Sequence, residues 1–220
     1  MTRFNIAMIT LLTGWLVFFF FRKRNAFKRD LVSITNDEWN NWGRQYSEQG
    51  HTVIEGGLEY EEPYAQVVRK YWQAVGYNYD GYDRDKAWSG AFISYILKKA
   101  GAKGFQGAIS HSEYIRRAVA TRKRGDLKDN FVAYRVREKT AEVGDLICYS
   151  RGETENDPYD RTSSYTSHCD LVVKKGSNYV DVIGGNVGQS VTKKKVPTSD
   201  GKVYPLHNKW FAIIKNNQKF

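Results

Sequence analysis

Residues 86–101 read KAWSGAFISYILKKAG. Trp88, Phe92 and Ile96 fall on one helical row, with Ala91 and Tyr95 on the adjoining row, so the stretch predicts a helix buried over most of its girth. Gly101 supplies its stop. Upstream, Pro63 opens PYAQVVRKYWQAVG, where Tyr64, Val67, Val68, Tyr71 and Val75 make an apolar stripe and Gly76 ends it. Downstream, Ser110 followed three positions later by Glu113 is a capping-box signature for a third helix with Tyr114, Ile115, Ala118 and Val119 inward. The period then changes. Segments 131–138, 144–150, 168–175, 178–185, 190–196 and 209–215 alternate or run apolar between Gly, Asn, Asp and Ser, as strands do. Helices first and strands after predict an α+β fold, with a curled antiparallel sheet packed on the helix that begins near Trp88.

The chain has 220 residues, 41% hydrophobic and 26% charged, which excludes collagen, coiled-coil and wholly disordered classes. Lys and Arg number 34 against 24 Asp and Glu, a formal charge of +10 that favours encounter with polyanions without choosing among them. Basic residues concentrate at Arg116, Arg117, Arg122, Lys123, Arg124 and Lys193–Lys195. Charge alone speaks for nucleic acid, since no helix-turn-helix, RRM or zinc-finger signature accompanies it, and the sequence reading disfavours that partner. Cys148 and Cys169 lack metal-site spacing. They read as two small core residues, or as a disulfide in an oxidising compartment. No metal or cofactor is expected.

Residues 6–21, IAMITLLTGWLVFFFF, form an uncharged apolar run between Arg3 and the cluster Arg22, Lys23, Arg24. Phe4 extends it toward the ~20 residues that cross a hydrocarbon core. The absence of small residues at its end argues against cleavage, so residues 1–25 are expected to be an uncleaved single-pass anchor contacting the membrane through 4–21. Lys28 and Arg29 add to the charge after the run, which by the positive-inside rule favours the cytoplasmic side. Residues 26–60 are polar and read as a linker, with a short helix from Asp37 capped by Asn36; residues 61–220 read as the main domain.

Three side chains stand out in this frame: Ser89 at the first turn of the central helix, His168 at a strand start, and Asn186 just past the next strand. A hydroxyl at a helix start lies near free backbone N–H groups, a histidine on a neighbouring strand can take its proton, and a polar group can fix the imidazole tautomer. Asp170, two residues from His168, shares its strand face and is the alternative orienter. Asp85, Trp88 and His111 are placed to line the cleft. His51 and His207 show no partner pattern.

Trp88-Ser89-Gly90-Ala91-Phe92-Ile93, continuing to Lys98-Lys99-Ala100-Gly101, resembles the nucleophile helix of the NlpC-like and CHAP-like cell-wall hydrolases of the papain-like superfamily, with Ser where they carry Cys. Gly144-Asp145-Leu146-Ile147 is similar to the strand preceding their histidine, and His168-Cys169-Asp170-Leu171-Val172-Val173 looks like the histidine strand. Asn186 falls where they place a third polar residue. The resemblance implies a papain-like fold and a peptidoglycan amide hydrolase, a peptidase or amidase, with Ser89 as nucleophile, His168 as base and Asn186 orienting it. It also leaves two alternatives: a catalytically inactive NlpC-like module that binds wall peptides or a protein partner such as an inhibitor, and an acyl-ester or lipid hydrolase. The implied partner is peptidoglycan or another anionic envelope polymer, met in the periplasm or envelope. Delivery as a toxin or lytic factor would reconcile that site of action with the charge bias.

Overall fold

The computed structural model describes residues 26–48, 50–152, 154, 156–204 and 209–218. Four helices occur among them: α1 (residues 26–41), α2 (Tyr64–Ala74), α3 (Ser89–Lys99) and α4 (His111–Lys123). The strands are β1 (Tyr46–Glu48), β2 (His51–Ile54), β3 (Phe131–Arg135), β4 (Leu146–Ser150), β5 (Ser167–Lys175), β6 (Tyr179–Val187), β7 (Ser190–Ser199), β8 (Lys202–Val203) and β9 (Trp210–Asn216).

Helix α3 is buried on nearly all sides because its sequence offers no polar stripe: Ala91, Phe92, Ile93, Ile96 and Leu97 are all fully buried. Its one interior hydroxyl is satisfied locally. Ser94 Oγ donates to the Gly90 carbonyl at 2.8 Å and accepts the Ala108 N–H at 3.0 Å. Gly90 is required for a close approach, since a Cβ there would stand 2.2 Å from the Ile109 carbonyl oxygen. Lys98 and Lys99 sit at the helix C-terminus, where the macrodipole favours cations.

Over this helix the aromatic side chains of three elements stack. The Trp42 and Trp88 rings lie 5.2 Å apart, Tyr71 and Trp88 5.4 Å, and Tyr71 meets Phe92 edge-on. The polar ends are bonded: Trp42 Nε1 donates to Tyr71 OH, which donates to the buried Glu38 carboxylate at 2.7 Å. Helix α1 thus enters the main core through Phe27, Leu31 and Glu38 rather than beginning at Asp37. Asn36 donates to Val32 O within that helix and caps nothing.

The sheet runs β2-β1-β7-β6-β5-β4-β9-β3, with β8 attached to β7, and is antiparallel except where β1 meets β7. Its edge strands β2 and β3 do not pair with each other, so it is an open sheet and not the curled, papain-like one expected. The β1–β2 hairpin is the physical reason. It extends the sheet beyond β7, and all four β2 residues are exposed, so no burial draws that edge round to β3. Leu146, Cys148, Cys169, Leu171 and Ile183 face the helices, while Ile147, Val172, Val182, Val196, Trp210 and Ile213 form a second cluster on the opposite face. Cys148 and Cys169, opposed across β4 and β5, are joined as a disulfide.

The expected anchor at residues 4–21 lies outside the described residues. Among the described residues no helix is long and apolar enough to cross a membrane, so the described structure gives no support to single-pass anchoring or to membrane contact through residues 4–21.

Candidate functional site

The first turn of α3, the start of α4 and the inner ends of β5 and β7 meet in a buried polar cluster. Ser89 and His111 are each 4% exposed, and His168 and Asp170 are fully buried. Ser89 Oγ lies 2.7 Å from His111 Nε2, so its partner is the histidine expected to line a cleft and not His168. His168 Nε2 instead lies 3.0 Å from Asp170 Oδ1. Asp170 Oδ2 in turn is 2.8 Å from Lys194 Nζ. The His111 and His168 rings are tilted against each other at 4.8 Å, and Tyr149 covers the other side of His168 at 5.1 Å.

Proton placement follows from the partners. A backbone N–H can only donate, and that of Cys169 points at His111 Nδ1 across 3.1 Å. Nδ1 is therefore an acceptor, a role it also offers to the Tyr114 hydroxyl beside it. A neutral imidazole then carries its proton on Nε2 and donates it to Ser89 Oγ. Burial holds His111 well below the ordinary histidine range, and neighbouring His168 pushes the same way, so the ring is neutral. An oxygen that accepts from this N–H cannot pass its own proton to the same nitrogen.

His168 is also kept below its usual value, by burial that Asp170 opposes in part. Its Nε2–H serves Asp170, whose ionised carboxylate can only accept, and its Nδ1 has no hydrogen-bond partner among the described residues. For Asp170, burial pushes the carboxyl upward, but the Lys194 ammonium together with His168 outweighs it and holds the group well below the carboxylate range. Lys194 shows the reciprocal balance: burial lowers it and Asp170 more than restores it.

Asn186 lies on the other side of Trp88. In the amide orientation that satisfies both of its neighbours, it donates to Glu59 Oε2 at 3.3 Å and accepts the Trp88 backbone N–H at 3.2 Å. It does not bond to either buried histidine. Glu59 also accepts from Trp88 Nε1, and burial raises its carboxyl, an effect that Trp88 and Arg84 oppose. Trp88 is core, and Asp85 is an exposed residue paired with Lys86. Among the described residues, no group of three or more His, Cys, Asp and Glu is placed to hold a metal ion. A cavity of about 230 Å³ lies near the far end of α3, lined by Ala74, Ser94, Lys98, Ala102, Phe105 and Gly107.

Lys194, Tyr149, Tyr114 and Glu59 belong to these clusters, although none of them was expected as a site residue from the sequence. Strand alternation was the available signal for Lys194, since the middle residue of a three-lysine strand must face opposite to its neighbours.

The open α+β sheet is joined to its helices by an internal, hydrogen-bonded imidazole and ion-pair network, and the described residues do not form the nucleophile arrangement of a Ser-His-Asn hydrolase. The chain belongs to the family described as an uncharacterized protein conserved in bacteria, DUF2272, which it matches over residues 61–215. No curated protein and no solved structure matches it. The resemblance to NlpC-like and CHAP-like hydrolases is corrected accordingly, on the family matched and on the uncurled sheet, and the peptidoglycan hydrolase reading falls with it.

Proposed function

We propose that this domain works by binding and not by bond cleavage, with its buried polar cluster serving to fix the sheet surface that a partner meets. The carrying observation is the Cys169 backbone N–H directed at His111 Nδ1 across 3.1 Å, which assigns the ring proton to Nε2, facing Ser89. A nucleophilic serine needs a base with a free lone pair at that position, together with room for a reacting carbonyl. Here the lone pair is engaged on the other nitrogen and the hydroxyl is buried.

The cluster has a sufficient structural role. It joins α3 to α4 through Ser89 and His111, α4 to β5 through Cys169, and β5 to β7 through Asp170 and Lys194. Buried hydrogen-bonded networks of this kind hold elements in one arrangement. Treating the full chain with a fluorophosphonate that modifies activated serines, followed by peptide mass spectrometry, tests the reading. Ser89 is expected to stay unmodified under conditions that label a serine hydrolase, and stoichiometric modification of Ser89 would overturn it.

A further inference from the structure

We propose that the face of β5, β6, β7 and β1 bearing Lys174, Lys193 and Lys195 is a docking surface for single-stranded nucleic acid, a proposal that rests on the binding role argued above. Most of the basic residues prominent in the sequence are neutralised at short range. Arg117 pairs with Glu113, Arg122 with Glu138, Lys123 with Asp160 and Arg124 with Asp126. Lys174, Lys193 and Lys195 have no ion-pair partner among the described residues and gather on one face.

Register places them. Asp181 on β6 stands opposite both Lys174 on β5 and Lys195 on β7, one carboxylate between two ammoniums, and Lys193 stands opposite Tyr46 on β1. Arg44 adds a further cation where the chain enters β1, its Nε bonded to Asn40 Oδ1. Burial lowers Lys193, Asp181 partly restores it, and Lys174 and Arg44 lower it again, which is how an ammonium responds to cations close by.

Aromatic rings are interleaved with the charges. Tyr179 has Lys195 Nζ at 4.8 Å and Lys174 Nζ at 5.9 Å from its ring centre, and Lys193 Nζ stands 3.4 Å from that of Trp39. Tyr46 and Tyr179 are both half-buried. Lys193 and Lys195 project on the same side about 6.6 Å apart along the strand. Cations that follow a phosphate backbone, beside rings on which bases stack, are the two components of sequence-tolerant single-strand binding. Duplex bases are already stacked on one another, so a duplex can use only the charges.

Fluorescence anisotropy of the full chain with a labelled 20-nucleotide oligodeoxythymidylate, over a series of salt concentrations, tests this. Salt-dependent binding is expected. Joint Lys174→Gln and Lys195→Gln substitution should weaken it and reduce the slope of log affinity against log salt by about 1.4, at roughly 0.7 for each phosphate left without its cation. Tyr179→Leu should weaken oligonucleotide binding about tenfold while leaving inorganic polyphosphate unaffected, and Lys128→Gln, on an exposed loop, should change neither. Absence of binding, an unaltered slope in the double lysine variant, or tighter binding of a duplex of equal length would overturn the proposal. The fluorophosphonate result is read independently: an unmodified Ser89 with no oligonucleotide binding removes this surface alone, whereas a modified Ser89 removes the binding role itself.

Discussion

Lys194 sits in the middle of a three-lysine run, yet its ammonium lies 2.8 Å from a fully buried carboxylate and its side chain is only 16% exposed. Removing one partner of such a pair strands the other charge, so Lys194→Met is expected to destabilise the domain by about 3–5 kcal/mol, and the double variant Lys194→Met with Asp170→Leu by much less. Urea denaturation of the two variants checks the difference. Ser89→Ala should cost about 1–3 kcal/mol, because it leaves the His111 Nε2–H buried without its acceptor. What sequence reading gave at this scale was position: Ser89 does stand at a helix start, and His168 and Asp170 do share a strand face. It could not give the partners. Which histidine reaches Ser89 depends on the docking of α4 against β5, and periodicity within either element carries no information about that.

Among the elements, α2, α3, α4 and the strands β3 to β7 and β9 were legible because each buries one face, or both, and therefore carries an apolar period; the two-residue β8 is too short to carry one. The β1–β2 hairpin was not, since β2 is exposed throughout and nothing in its sequence alternates with burial. Helix α1 was seen only at its end, from Asp37 onward; Phe27 and Leu31 showed no stripe beside the basic residues around them. Two neighbouring glycines on β6 matter at this scale. A Cβ on Gly184 would stand 1.9 Å from Asp170 Oδ1, and one on Gly185 2.5 Å from the Phe92 Cβ. Gly184→Ala is expected to lower the melting temperature by pushing Asp170 away from His168 and Lys194, whereas Gly188→Ala, at a left-handed turn outside the cluster, should leave that ion pair intact. The disulfide closes a loop of 21 residues between β4 and β5. Replacing both cysteines by serine should cost about 3 kcal/mol by the chain-entropy model, measurable by denaturation with and without the bond.

For the whole molecule, the two neutral buried histidines set a pH dependence. Their folded values lie below the ordinary 6.5, so the unfolded chain takes up protons first, and stability should be full above about pH 6.5 and fall as pH drops below it. Asp170 acts in a lower window: its folded value lies beneath 3.8, so its contribution is lost only as pH falls below about 4. Unfolding free energies from pH 8 to pH 5 that stayed level or rose on acidification would contradict the neutral assignment. The α+β class was legible from the order of helical and strand periods. Sheet closure was not, because alternation tells which way a side chain faces and not which strand lies beside the last one. The position of the His111 ring proton is observed directly by nitrogen NMR of histidine-labelled protein near pH 7. His111 is expected to show an unprotonated Nδ1 coupled to the Cys169 amide and a protonated Nε2; a His111 protonated on Nδ1, with a bare Nε2 facing Ser89, would overturn the binding role.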